Sequence, residues 1–376
     1  MNNNSRRNFM KGAVAATLAM QVQAGNTTIK QNNVSVNGMR RIAIEEAFVT
    51  QAIADEWDKF IAAGSPNEPG FQKMGESILA DSLGTRIIHE RLVNLGNDRI
   101  KYMDKCGVDM QVISLTSPGI QVFDGALAKE LAADANDQLA TAVKNHPDRF
   151  AGFAAVAPQL PGEAAKEIDR AIGSLGLSGV IINSHTRGEY LDDRKFWPIL
   201  EATEARNSPL YLHPRAPGQG MVQPYLDYGL YFAGWGFAAE TSLHAMRMIM
   251  SGVFDEFPKL KVILGHMGEG IPFHLDRIDN RYLLQVKINA VKPLKKLPSE
   301  YFKENFVITT SGVFQDSALK LCYEELGADR ILFAADYPYE SVEDSVKFLD
   351  AADLSIQDKH KIYYGNAEKL LGLATL

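Results

Sequence analysis

Residues 261–269 read Lys-Val-Ile-Leu-Gly-His-Met-Gly-Glu. A short aliphatic run of strand type stops at glycine, and a histidine and a glutamate follow at once. Consecutive apolar positions mean that both faces of the strand are covered, as in a parallel sheet packed between layers. Working outward, the same unit recurs. Apolar runs stand at 41–45, 110–115, 151–156, 179–183, 209–213, 261–265, 306–310 and 331–335, eight in all. Amphipathic helical patterns lie between them, for example at 126–145, 163–174 and 238–251. Gly107 and Gly327 end two such patterns and predict left-handed C-caps. Alternating strand and helix implies a parallel α/β sheet. Eight units predict closure into a (β/α)8 TIM barrel, which needs roughly 250 residues before insertions; the chain has 376. A doubly wound open sheet is the competing topology. The stretches 63–96, 214–235 and 284–303 are too long for simple turns. They are read as loops or extra helices, the middle one over the site.

The start of the chain has a different character. Ser5-Arg6-Arg7-Asn8-Phe9-Met10-Lys11 precedes a small-residue apolar run from Gly12 to Met20, and Val22-Gln23-Ala24 offers the small residues a signal peptidase needs. Charged start, apolar middle and small-residue exit describe a signal peptide over 1–24. The paired arginines point to the twin-arginine route, hence to export or a periplasmic location. The apolar run is too short to span a bilayer, so no membrane insertion is expected after processing. Residues 25–39 form a polar, Asn-rich lead-in, and 40–376 a single catalytic barrel with insertion loops. Hydrophobic residues make up 46% and charged residues 23%, ordinary for a globular protein. A net charge of −7 argues against nucleic acid as a partner. The two cysteines, Cys106 and Cys322, are too few for a thiolate metal site or a disulfide framework and are read as free, packed thiols.

In such a barrel the working groups stand at the C-terminal ends of the strands. Polar residues fall at those ends: Glu45-Glu46, Asn183-Ser184-His185-Thr186, His213-Pro214, His266-Met267-Gly268-Glu269 and Asp336-Tyr337-Pro338. Packing alone does not explain five such endings in register. Glu45, His213 and Asp336 form a mixed nitrogen and oxygen ligand set that suits one divalent ion, Mn2+ or Zn2+. Side chains alternate across a strand, so only one of Glu45 and Glu46 points inward. Glu45 is taken for the metal, and Glu46 is expected to pair with a basic residue on the other face. Asp336 is expected to bind the metal and shuttle a proton; capping the next helix is its structural alternative. Arg277, on the helix after His266, is a candidate to grip a substrate carboxylate, or else forms a surface ion pair with Asp276 or Asp279. Arg215 is a similar candidate. His89, His146, His244, His274 and His360 are read as structural or solvated.

Glu45-Glu46-Ala47-Phe48, Leu115-Thr116-Ser117-Pro118-Gly119, Asn183-Ser184-His185-Thr186, Tyr211-Leu212-His213-Pro214, Gly265-His266-Met267-Gly268-Glu269 and Asp336-Tyr337-Pro338-Tyr339 together resemble the metal-dependent aromatic decarboxylases of the amidohydrolase superfamily. The resemblance runs from about residue 40 to the C-terminus and is nearest to the 5-carboxyvanillate decarboxylase branch. Many branches carry a metal-binding histidine two residues after the first glutamate. Here that position is Ala47, and the carboxyvanillate branch is similar in having alanine there. The resemblance implies that Glu45, His213 and Asp336 are metal ligands, and that His266 is catalytic. It also implies that Arg277 and Tyr339 hold substrate. Where the family carries another carboxylate-binding arginine this chain has Gly84, with Arg86 two residues later.

The expected activity is non-oxidative decarboxylation of a small ortho-hydroxy aromatic carboxylic acid. Asp336, His266 and Glu269 would do the proton work, and Arg277, Tyr339, His185, Arg86 and Arg215 would hold substrate. No redox cofactor is expected. Relatives that are dimers and tetramers imply a homo-oligomer. Two other readings share the barrel: a metal-dependent hydrolase of a lactone, amide or ester, and a binding protein on a degenerate site.

Overall fold

Every strand residue is buried except His213, which is partly open at the mouth of the barrel. The computed structural model describes residues 38–77 and 83–373. The leader at 1–24 and nearly all of the lead-in lie outside the described residues. The strands are β1 (Ile42–Phe48), β2 (Met110–Leu115), β3 (Phe150–Ala155), β4 (Gly179–Asn183), β5 (Leu210–His213), β6 (Val262–Leu264), β7 (Phe306–Thr309) and β8 (Ile331–Leu332). They pair in parallel and in sequence order in one eight-stranded sheet. Ile44 N–H donates to the Phe333 carbonyl at 3.1 Å and Ala47 N–H to the Tyr337 carbonyl at 2.7 Å, which joins β1 back to β8. This is a (β/α)8 barrel; a doubly wound sheet would change strand order part-way and leave two edges.

The helices fall where the periodicity places them: Gly125–Asn145, Pro161–Gly173 and Gly236–Met250 match the expected spans to within two or three residues. Asp124 caps the first of these by accepting from Ala126 and Leu127 N–H. Gly107 takes the left-handed C-cap conformation. Gly327 differs, with φ 76° and ψ 162°, a mirror-extended conformation open to glycine and to almost nothing else. Cys106 and Cys322 are free and buried.

β8 is shorter than its apolar run. Beyond Leu332 the backbone turns to other partners: Phe333 N–H reaches the Ile362 carbonyl and Ala334 N–H reaches Thr310 Oγ1. The ladder therefore ends while the chain is still buried, and the next residues are held by side chains. The stretch 63–96 contains helices at Pro69–Ser77 and Leu83–Leu92, and 284–303 contains the start of the helix Pro298–Asn305. The 214–235 segment leaves the C-terminal end of β5 through two 3-10 turns, Gln223–Tyr225 and Asp227–Gly229. Among the described residues, no helix is long and apolar enough to cross a membrane.

One buried ion pair ties the first insertion to the loop after β5. Arg215 Nη2 lies 2.5 Å from Glu68 Oε2, and both side chains are buried. Arg215 Nη1 also donates to the His185 carbonyl at 2.9 Å. Removing one partner strands a charge in the interior, which typically costs about 3–5 kcal/mol. Glu68→Ala is therefore expected to lower the unfolding free energy by about that amount in a urea titration; a loss within about 0.5 kcal/mol would show that the pair carries no weight.

Candidate metal centre

β1 delivers Glu45, β5 delivers His213, and the turn after β8 delivers Asp336. Their ligand atoms lie within 4.8 Å of one another. Two atoms bound to one ion at about 2.0–2.2 Å stand at most about 4.4 Å apart. The three atoms are thus gathered on the scale of one coordination sphere.

Hydrogen bonding says what the three atoms lack. His213 Nδ1 lies 2.9 Å from the Pro214 carbonyl, so it carries the hydrogen and leaves a lone pair on Nε2. That lone pair faces Glu45 Oε1 at 3.7 Å. Glu45 Oε1 is buried without a hydrogen bond of ordinary geometry, and the buried Tyr211 hydroxyl stands beside it. Burial, against the opposing pull of Glu45, pushes His213 down to about 4, so a proton does not settle the contact at neutral pH. Burial alone would raise Glu45, but His266 and His213 outweigh it and hold the carboxyl below its ordinary value. Two acceptors aimed at each other in a buried site call for a cation, and the donor set fits Mn2+ or Zn2+.

The other oxygen of Glu45 is anchored. Thr309 Oγ1 donates to Oε2 at 2.7 Å, and Ser311 Oγ donates to the same atom. Gly265 leaves the room: a Cβ there would come within 2.9 Å of Glu45 Oε1. Burial and the nearby Glu45 raise Asp336 to about 7, with His266 opposing. His266 Nε2 lies 3.7 Å from Asp336 Oδ2, and its Nδ1 lies 2.9 Å from Glu269 Oε1. Burial would lower His266, but Glu45, Glu269 and Asp336 overcome it and hold the imidazole well above its ordinary value. Gly312 makes space for that ring, since a Cβ there would meet His266 Cδ2 at 2.9 Å.

Backbone strain collects here too. Ser184 (φ 42°), His266 (φ 50°), Met267 (φ 55°), Glu269 (φ 51°) and Asp336 (φ 67°) all sit in the left-handed region just after strands. Each such residue costs of the order of 1–3 kcal/mol and persists only where its surroundings over-determine it. Asp336 does not cap the following helix; Ser341 does, by accepting from Asp344 N–H.

The candidate substrate contacts divide. Tyr339 follows Asp336 closely, and its hydroxyl lies 2.7 Å from Thr116 Oγ1 at the end of β2, which puts it on the rim of the centre. His185 is fully buried with both ring nitrogens committed, Nε2 to the Ala216 carbonyl and Nδ1 to Gly188 N–H, each at 3.0 Å. It braces the loops after β4 and β5 and has no atom left for a substrate. Arg215 is corrected likewise, since its guanidinium is buried against Glu68 and His185. Arg277 is exposed on the helix Leu275–Lys287; among the described residues it forms no ion pair, and Asp279 is engaged by Ser299 instead. Arg86 is exposed on the helix Leu83–Leu92. Among the described residues, no hydrogen bond or ion pair joins Arg277 to the centre.

His244 is structural, as expected. Its Nε2 accepts from Leu191 N–H at 2.9 Å, so Nδ1 carries the hydrogen that faces Ser184 Oγ at 3.2 Å. Ser184 can then donate to Glu240, 3.2 Å away. That tautomer excludes a base-activated serine. Burial drives His244 down to about 3 and raises Glu240 to about 7.

Two contributors escaped the reading of the sequence, Thr309 and Ser311, which anchor Glu45, whereas Thr116 stood in a quoted motif without a role. Thr309-Thr310-Ser311 stands at the end of the seventh apolar run, so the strand-end rule applied there would have found it.

The family model described as amidohydrolase matches residues 80–373. The chain belongs to the amidohydrolase family. This amidohydrolase is 39% identical over 295 residues to gamma-resorcylate decarboxylase of a Polaromonas species, an overlap of 76% of this chain and 90% of the relative. The crystal structure of 5-carboxyvanillate decarboxylase from Sphingomonas paucimobilis superposes with a TM-score of 0.84 at 41% identity, covering 89% of this chain and 100% of that one. A 5-carboxyvanillate decarboxylase from Novosphingobium aromaticivorans, in complex with manganese and 4-hydroxy-3-methoxy-5-nitrobenzoic acid, superposes with a TM-score of 0.87 at 42% identity. That overlap covers 89% of this amidohydrolase and 97% of the relative.

A metal must displace the proton that Asp336 holds below about 7. Mn2+ titrated calorimetrically into metal-free protein is therefore expected to bind more weakly as pH falls through that value, with net proton release. An affinity flat between about pH 8 and about pH 6 would contradict this linkage.

Proposed function

We propose that this chain is a metal-dependent, non-oxidative decarboxylase of a small hydroxy-aromatic carboxylic acid, the hydroxyl standing ortho to the leaving carboxylate. The observation that carries the reading is the placement of Asp336: a carboxyl gathered with Glu45 and His213 at one centre, with His266 Nε2 3.7 Å behind it.

Glu45, His213 and Asp336 would hold a divalent ion, which would supply Lewis-acid stabilisation of negative charge on the phenolic oxygen. Asp336, loaded by the neighbouring His266, would pass a proton to the ring carbon that bears the carboxylate, forming a C–H bond and interrupting aromaticity. The bond to the carboxylate then breaks, its electron pair returns to the ring, aromaticity is restored and carbon dioxide leaves. His266, held by Glu269, is recharged from solvent, which supplies the one proton each turnover consumes. No electrons are exchanged with an outside acceptor, so the cycle needs no redox cofactor. Tyr339 shapes the rim against the ring. Arg277 and Arg86 remain candidates for a substrate carboxylate only if they move towards the centre.

A homo-oligomer is part of the reading. Trp235, Phe273, Leu283 and Ile288 are 62%, 72%, 53% and 63% exposed, large apolar side chains available to an interface. Export by the twin-arginine route rests on Arg6-Arg7 and the apolar run after them.

Manganese-loaded protein incubated with a panel of ortho-hydroxybenzoates, including 5-carboxyvanillate and 2,6-dihydroxybenzoate, is expected to release carbon dioxide from at least one member. Asp336→Asn is expected to lower kcat by at least about 100-fold, the usual contribution of a positioned acid. No carbon dioxide from the panel, together with cleavage of a lactone or ester, would move the assignment to a hydrolase with Asp336 as general base.

A further inference from the structure

β1 ends in two consecutive glutamates, and the strand sends them to opposite faces. Glu45 faces the centre. Glu46 is completely buried on the other side, and the expected ion pair is replaced by a different arrangement. Its Oε1 accepts from Ala335 N–H at 3.0 Å, and its Oε2 accepts from Tyr337 N–H at 3.3 Å. These two amides flank Asp336. Gln111 Nε2 donates to Oε2 at 3.1 Å and fixes the carboxylate from β2. Arg99 backs the group without touching it: Nη1 donates to Gln111 Oε1, Nη2 donates to the Ala47 carbonyl, and the guanidinium lies 4.7 Å from the Tyr337 ring centre.

The placement answers a definite backbone problem. Between the bonds Ile44 N–H to Phe333 and Ala47 N–H to Tyr337, the β1–β8 ladder gives the amides of Ala335 and Tyr337 no carbonyl of β1. The register of β1 against β2 shifts between Ala43 and Glu46, at the same level. A side-chain carboxylate fills the gap, and it does so on both sides of a residue held at φ 67°. The Tyr337 amide belongs to the peptide that leaves Asp336 and the Ala335 amide to the peptide one residue upstream of it, so the two bonds pin the backbone on both sides of Asp336.

We propose that Glu46 is a positioning residue that aims Asp336 at the metal through the backbone amides of Ala335 and Tyr337. Adjacent residues of one strand thus serve one ion twice: Glu45 as a ligand, and Glu46 as the clamp on a ligand from the strand that closes the barrel. The proposal rests on the reading of Glu45, His213 and Asp336 as a metal centre.

The test measures Mn2+ binding to metal-free full-length protein by calorimetry and by the EPR signal of free Mn2+, and then kcat and KM at saturating Mn2+. In Glu46→Gln the amide keeps one acceptor oxygen, so at least one amide beside Asp336 faces a donor. The Mn2+ dissociation constant is expected to rise about 10- to 100-fold, as for other partners of metal ligands. At saturating Mn2+, kcat is expected to fall more than KM changes. Asn136→Ala is the control for simple loosening of the barrel. Asn136 clamps the backbone of Ala155 at the end of β3 with bonds of 2.8 Å in each direction, on a strand with no ligand. It is expected to lower stability and leave the Mn2+ dissociation constant unchanged. If Glu46→Gln does not fold, Gln111→Leu, which removes the donor orienting Glu46, carries the same expectation of weakened Mn2+ binding. Affinity equal to wild type in the folded variant, or equal weakening in Asn136→Ala, overturns the proposal. Failure of the wild type to bind Mn2+ overturns the metal-centre reading instead.

Discussion

At the mouth of the barrel two lone pairs face each other across 3.7 Å, one on Glu45 Oε1 and one on His213 Nε2. Neither has a hydrogen to offer the other. Pro214 fixes the histidine tautomer, Thr309 and Ser311 occupy the far oxygen of the glutamate, and burial keeps a proton off the imidazole. In water such a contact would relax by solvation. Inside a barrel it persists only with positive charge nearby, and in the described structure His266 supplies part of it. A divalent ion completes it and recruits Asp336.

The rest of the architecture follows from holding that contact open. The ladder positions strand ends to within a fraction of an ångström, but the useful side chains belong to the residues just beyond it. Those residues take left-handed conformations at Ser184, His266, Glu269 and Asp336. The strain is offset by side chains that bond backbone near the strand ends: Gln121 to the carbonyls of Asn183, Ser184 and His185, Glu46 to the amides of Ala335 and Tyr337, and His185 to the backbone of Ala216 and Gly188. Buried polar residues that touch no reactant thus form the frame that keeps the centre in shape.

Much of this was legible in the residues. Apolar runs covered on both faces fixed strand number and order, because burial on both sides leaves a continuous signal. Glu45, His213 and Asp336 stood out because ionisable groups are costly at such places without a partner. What stayed hidden depends on distance through space. Nothing local distinguishes Arg215, which is spent on Glu68 from an insertion 147 positions away, from an arginine free to meet a carboxylate. His185 reads as a site histidine until its two backbone partners are known. Glu46 invites a basic partner by its charge, whereas the fold gives it two amides and a glutamine, because β8 leaves the ladder early. The two helices within 63–96 lacked the long periodicity that reveals longer ones.

The similarity to decarboxylases of hydroxy-aromatic acids and the acid–imidazole pair behind the centre agree on one chemistry, and that chemistry needs the ion. The most direct measurement is anomalous diffraction at the manganese edge from crystals of the protein grown with Mn2+. The account predicts one strong peak per chain, bonded by Glu45, His213 and Asp336. No peak among those three side chains, or one bound elsewhere while Glu45 and His213 still face each other bare, would contradict it.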